Sequence, residues 1–184
     1  MSLSIASIIL LADIAVFTVF EVIVLTELGV PKNLSITYYM FKERKTRLQW
    51  FFPAVTLFLC VTTMPIWIYN AYYASGWHSK FVAFPVFTLF CLLAVTASAN
   101  YLKNQRLKNF HYTCAILAAV CFLVWLNSVA IKLAYVGSAI LLVLLFVGIR
   151  TKTLKKCPLF WLESAAFYSL LFTLLVIEIK SVGI

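Results

Sequence analysis

The chain has 184 residues, of which 64% are hydrophobic and only 11% charged, with a formal net charge of +9. A water-soluble domain carries about a quarter charged residues, so this composition excludes a soluble globular fold. The excess of Lys and Arg invites a nucleic-acid partner, but these residues sit in short connections between apolar runs, where the positive-inside rule accounts for them. No nucleic acid is expected as a partner; the bilayer itself and anionic lipid headgroups are.

Apolar runs of about 18 to 25 residues recur along the chain, each long enough to cross a hydrocarbon core about 30 Å thick. Only helices or a closed barrel satisfy the backbone in that solvent. The runs are continuous rather than alternating, which selects helices. The expected fold is therefore all-α: one integral domain, a polytopic transmembrane bundle of six spans at 3–27, 50–72, 81–100, 111–129, 134–149 and 158–179. The first run lacks a basic leader, carries Asp13 and has no small-residue cleavage site, so it reads as a retained helix rather than a signal peptide. Spans four and five form a tight hairpin around Ala130 to Leu133. Pro158 stands where the first turn of a helix tolerates proline, and Pro53 and Pro65 are positions at which span two can bend.

The connections after spans one, three and five hold twelve of the fifteen Lys and Arg residues, leaving Lys80, Lys132 and Lys180 for the other side. This alternation predicts that both termini lie outside and that the basic loops face the cytoplasm, in the cell (inner) membrane. Trp50, Phe51 and Phe52 at one end of span two, Tyr69, Tyr72, Tyr73 and Trp77 at the other, and Trp161 in span six mark the interfaces. Within the first connection, a short interfacial helix would bury Ile36, Tyr39 and Met40 while exposing the basic stretch Lys42, Arg44, Lys45 and Arg47; an ordinary anchoring loop is the alternative.

The segment Leu34-Ser35-Ile36-Thr37-Tyr38-Tyr39, the basic stretch after it and Pro65-Ile66-Trp67 in span two carry a resemblance. Together they resemble a group of small, uncharacterised bacterial multi-span membrane proteins with a Ser-x-Thr-Tyr-Tyr-type loop after the first helix. The likeness extends as far as about Asn70. It implies a membrane protein and brings no catalytic residue with it.

Carboxylates inside a bilayer cost about 2.5 to 3.5 kcal/mol near a helix centre. At 100° per residue, Glu21 lies about 80° from Asp13 and Glu27 about 40° the other way, so the three form one stripe that should face the bundle. With a 1.5 Å rise, Glu21 lies about 9 Å deeper than Glu27 and Asp13 about 12 Å deeper again, near the midplane. Thr62, Thr63 and Tyr168 are uncharged partners at similar depth. Glu163 in span six reaches the depth of Glu21, so the two could share a proton or cation if their helices are neighbours. Asp13, Glu21, Glu163 and His111 are thus the candidate intramembrane polar site, with Tyr38 or Tyr39 as further lining of a cytoplasm-facing pocket. The alternative is that these carboxylates only brace helices.

His78 and His111 fall at opposite interfaces and cannot ligate one metal, and no Gly-rich phosphate loop or nucleophile–base order is present. No metal or other cofactor is expected. Cys60, Cys91, Cys114 and Cys121 lie in apolar runs as small hydrophobes, and Cys157 stands at a boundary where acylation is possible. Ala94 with Ser98, Ala115 with Ala119 and Ala134 with Ser138 have the small-xxx-small spacing of packed helices. The reading this supports is a non-enzymatic membrane module, an accessory subunit or a lipid- or partner-binding protein, with a homo-oligomer among the options. The alternative is a small transporter or channel-like protein that uses Asp13 and Glu21 as a proton or cation path; a lipid-directed enzyme ranks last.

Overall fold

The structure is a computed structural model that describes residues 4–73, 82–128 and 134–181. The proposed hairpin at Ala130 to Leu133 and the residues Trp77, His78, Lys80 and Lys132 lie outside the described residues. Among the described residues every regular element is helical. In chain order these are α1 (Ile5–Leu28), α2 (Thr37–Glu43), α3 (Phe51–Tyr73), α4 (Ala83–Ala97), α5 (Gln105–Ser128), α6 (Ala134–Arg150) and α7 (Pro158–Ser181), with short 3-10 turns at Arg47–Trp50 and Tyr101–Lys103.

Local chemistry sets the boundaries. Ser4 caps α1 by accepting the Ser7 N–H at 3.0 Å, and Gly29, at φ +73°, closes it by donating to the Leu25 carbonyl. Pro158 opens α7, where its missing N–H costs nothing. The helix α3 runs on through Pro65. The start of α5 lies six residues before the predicted span because Asn104 caps it, its Oδ1 accepting the Arg106 N–H at 2.8 Å. That polar first turn is invisible to hydropathy.

Four of the helices are long and apolar enough to cross a membrane, namely α1, the segment Arg47–Tyr72, Gln105–Leu126 and α7. The other two are apolar but shorter. With 15 residues in α4 and 17 in α6, they extend about 22 and 26 Å.

The helices pack in the lateral order α5, α4, α3, α1, α7, α6, and α3 also touches α7. Aromatic rings fill the seams: Phe17 against Phe167 and Tyr168, both at 5.0 Å between centroids, and Trp67 against Trp125 at 5.2 Å. Large apolar side chains face outward along the whole bundle, among them Ile8, Val22, Phe90, Ile116, Leu142 and Phe146. An apolar exterior over an apolar core is the pattern of a protein solvated by lipid.

The three basic connections gather at one end. Tyr39 Oη donates to Asn100 Oδ1 at 3.1 Å and accepts the Leu102 N–H at 2.6 Å, which ties the first connection to the α4–α5 turn. The Cys157 thiol donates to the Val30 carbonyl at 3.4 Å, which ties it to the α6–α7 turn. Of the two alternatives for this connection, a short helix or an ordinary loop, the helix is present as α2, but it turns Thr37, Tyr38 and Phe41 into the protein, while Ile36, Tyr39 and Met40 are only half-buried. The reason is an apolar seat for Leu34 and Phe41, each 1% exposed. Lys42, Arg44, Lys45 and Arg47 project outward as expected. Arg44 donates to the Glu27 carbonyl, and Lys42 Nζ lies 5.8 Å above the Tyr38 ring.

Candidate functional site

Asp13 is fully buried between α1 and α3, where Oδ1 accepts from Thr62 Oγ1 at 2.8 Å and Oδ2 from Thr63 Oγ1 at 2.7 Å. These are two of the three partners placed at its depth by helix arithmetic. The third, Tyr168, hydrogen-bonds Thr18 Oγ1 at 3.0 Å instead and lies beside Glu21. Glu27 is exposed and drops out of the acidic stripe. It sits at the last turn of α1.

Glu21 and Glu163 belong to neighbouring helices, α1 and α7, yet they face different surroundings. Glu21 is set against Ser164 and Tyr168, and its Oε1 is buried without a hydrogen-bond partner. Glu163 Oε2 accepts the Leu34 N–H at 2.7 Å. A residue one position away on a helix points about 100° aside, so Ser164 meets Glu21 while Glu163 turns elsewhere.

Glu163 turns toward a cavity of about 120 Å³ walled by α3, α4, α5 and α7 and capped by Leu34 and Ser35 of the first connection. Its walls are apolar and aromatic, with Phe52, Trp67, Phe122 and Phe167 among them. The polar groups at its rim, Ser35, His111 and Glu163, all belong to the basic end of the bundle. The predicted pocket is thus altered in two members. His111 and Glu163 do line one cavity, but Glu21 does not, and Ser35 stands where Tyr38 or Tyr39 was expected.

His111 is 2% exposed, stacks on Tyr101 at 4.2 Å between centroids and lies 3.0 Å from Ser98 Oγ through Nδ1. The Ser98 hydroxyl proton is engaged by the Ala94 carbonyl at 2.6 Å, so Nδ1–H is the donor between them. The first connection reaches the same cluster through Ser35 Oγ, 3.3 Å from Asn33 Oδ1 and 3.5 Å from Tyr101 Oη. Burial pushes the Tyr101 phenol up to about 12 and raises that of Tyr39. Both therefore act as neutral hydrogen-bonding groups at this end.

Ala115 and Ala119, spaced for helix packing, instead line the cavity together with Ala118. Their missing volume is what leaves it open. Two polar groups of residues in the same wall are buried without a partner, the Trp67 indole N–H and the Thr88 hydroxyl. Leaving such a group unpaired costs about 1 to 3 kcal/mol.

At the opposite end the structure reveals a third buried acid, Glu178, which accepts from Asn70 Nδ2 at 2.7 Å and from Ser4 Oγ at 3.3 Å. Sequence reasoning did not single it out. The signal was Asn70, an amide near the end of an apolar run. Among the described residues no three His, Cys, Asp or Glu side chains come close enough to hold a metal ion. No family model, curated protein or solved structure matches this chain.

Proposed function

We propose that this protein is a non-enzymatic, six-span module of the bacterial inner membrane that binds an amphiphile, with both termini outside and the basic end in the cytoplasm. The observation that carries the reading is the cavity: its walls are mainly apolar and aromatic, broken by the Thr56 and Thr88 hydroxyls, and its titratable groups, Glu163 and His111, lie toward the basic end of the bundle. An amphiphile has the same polarity, a chain for the walls and a head for the rim. Around it, Lys42, Arg44, Lys45 and Arg47 stand exposed, where they would hold anionic headgroups at about 1 kcal/mol per charge. Resemblance to small bacterial multi-span proteins through the Leu34–Tyr39 segment agrees with this setting, and a protein partner docking on the same basic stretch belongs to the same reading.

The test is lipid analysis of the purified protein before and after replacing Lys42, Arg44, Lys45 and Arg47 by Gln. Loss of copurifying anionic lipid, or of a bound protein, is expected. Unchanged retention of every associated species would overturn the headgroup assignment.

A second reading, a proton or cation path through the α1/α3/α7 seam, draws on the unpartnered Glu21 Oε1 and on the succession of Glu178, Asp13 and Glu21 along the bundle. It predicts that Asp13→Asn abolishes ion flux in proteoliposomes while leaving the fold intact. Absence of flux in the unaltered protein removes it.

A further inference from the structure

The cavity that carries the amphiphile reading also constrains the head of its ligand. Glu163 is the acidic residue in its lining, and neither Lys nor Arg lines it. A carboxylate against an apolar cavity is stabilised by a cation within hydrogen-bonding reach and is costly without one. Aromatic faces attract the same kind of ligand, and four rings stand in the wall. An anionic head would meet Glu163 directly and be repelled.

Hydrogen-bonding capacity narrows the class further. Glu163 and Ser35 offer acceptor oxygens at the basic end of the cavity. A primary ammonium supplies three N–H donors, whereas a quaternary ammonium supplies none. Size excludes bulky bodies: the cavity measures about 120 Å³, and one on the order of 150 Å³ holds a single benzene-sized group. The space suits a head and the first methylenes of one chain. We propose that the cavity binds the ammonium head and proximal chain of a single-chain amphiphilic amine, with Glu163 as counter-ion and Phe52, Trp67, Phe122 and Phe167 as walls. This rests on the amphiphile reading and adds the charge of the ligand to it.

The experiment is photolabelling of the full chain in phosphatidylcholine nanodiscs with dodecylamine carrying a diazirine, the labelled peptides being mapped by mass spectrometry. Saturable labelling of the α3, α5 and α7 walls is expected, suppressed by dodecylamine but not by dodecanol or dodecanoate at equal concentration. Glu163→Gln should reduce labelling by about tenfold or more, while Glu178→Gln, a buried acid outside the cavity, leaves it unchanged. Ala118→Phe fills the space without touching the carboxylate and should also abolish labelling, which keeps the test valid if Glu163→Gln fails to fold. Equal competition by dodecanol or dodecanoate, or undiminished labelling of a folded Glu163→Gln variant, overturns the ammonium assignment and leaves amphiphile binding standing. Absence of any saturable labelling overturns both. Nanodiscs containing lyso-phosphatidylethanolamine, a one-chain aminolipid, identify the source of the head: suppression assigns it to an aminolipid, persistence to a free amine, and both results uphold the ammonium chemistry.

Discussion

Asp13 offers the sharpest test of what a buried carboxylate does in this bundle. Its two oxygens each accept one threonine hydroxyl across the α1–α3 seam, at 2.8 Å from Thr62 and 2.7 Å from Thr63. The two bonds are not equal. Thr62 has one hydroxyl proton but two acceptors, since the Phe58 carbonyl also lies 2.9 Å away, whereas Thr63 Oγ1 donates to Asp13. Side-chain hydrogen bonds between membrane helices couple by about 0.6 kcal/mol on average and at most about 1.7. The short, fully buried Asp13–Thr63 bond should lie in the upper part of that range, about 1 to 1.7 kcal/mol, and Asp13–Thr62 near the mean. A double-mutant cycle with Asp13→Ala, Thr63→Ala and Thr62→Ala, read by reversible unfolding in mixed micelles, measures both. Asp13→Asn keeps a hydrogen-bonding amide in place and should cost less than Asp13→Ala. Coupling energies near zero for both threonines, or a larger one for Thr62 than for Thr63, would refute this account of the seam.

Other consequences are independent of that seam. A Cβ added at Gly148 would meet Trp161 Nε1 at 3.1 Å and Leu154 Cβ at 3.2 Å, so Gly148→Ala should destabilise the α6–α7 pairing by about 1 to 3 kcal/mol in the same unfolding assay. The phenol of Tyr101 is raised to about 12 by burial from an unfolded value of about 10. The unfolded chain then releases this proton first, so stability is unaffected below pH 10 and falls as pH rises from 10 to about 12. Tyr101→Phe should flatten that decline, as followed by tyrosinate absorbance and unfolding at each pH. The basic end should be reached by impermeant thiol reagents from one membrane face only: in a background without native cysteines, Lys45→Cys and Lys152→Cys, both exposed, label from the cytoplasmic side alone. Labelling of either from outside overturns the proposed orientation.

Hydropathy found the helices because lipid imposes one rule on every turn of a span, and the four longest segments satisfy it without help from packing. Their ends obeyed local chemistry instead. Asn104 starts α5 within a polar stretch, and α4 stops at Ala97, where Ser98 returns its hydroxyl to the Ala94 carbonyl at 2.6 Å. Among the site residues, depth along a helix was legible from the 1.5 Å rise, which is why Thr62 and Thr63 could be matched to Asp13. Which helices are neighbours was not. Glu163 and Glu21 share a depth, but Glu163 meets the Leu34 N–H because the first connection folds over the end of the bundle. No periodicity encodes that return. The cavity was equally hidden, because small residues spaced for packing read the same whether a neighbouring helix fills the space beside them or, as at Ala115 and Ala119, leaves it open.

The polar interior divides into groups that hold the bundle and groups that do not. Asp13, Glu178 and the Tyr39 hydroxyl each have two partners on another segment, and a buried polar group so satisfied fixes which segments adjoin and at what register. Six side-chain atoms among the described residues are buried and gain no such return: the Trp67 and Trp125 indoles, the Thr88, Ser164 and Thr173 hydroxyls and Glu21 Oε1. Trp67 and Thr88 belong to the wall of the cavity, and Glu21 lies one α7 position from Glu163, beside Ser164. The α7 turn at Glu163 and Ser164 therefore joins the braced seam to the open cavity. A ligand drawing on the Glu163 carboxylate would pull on the Leu34 N–H that shares it, and through Leu34 on the first connection that carries Lys42 to Arg47. On the proposed reading, filling the cavity would therefore shift the first connection. Hydrogen exchange of the Leu34 amide, slow in the empty protein, should change when the cavity is filled.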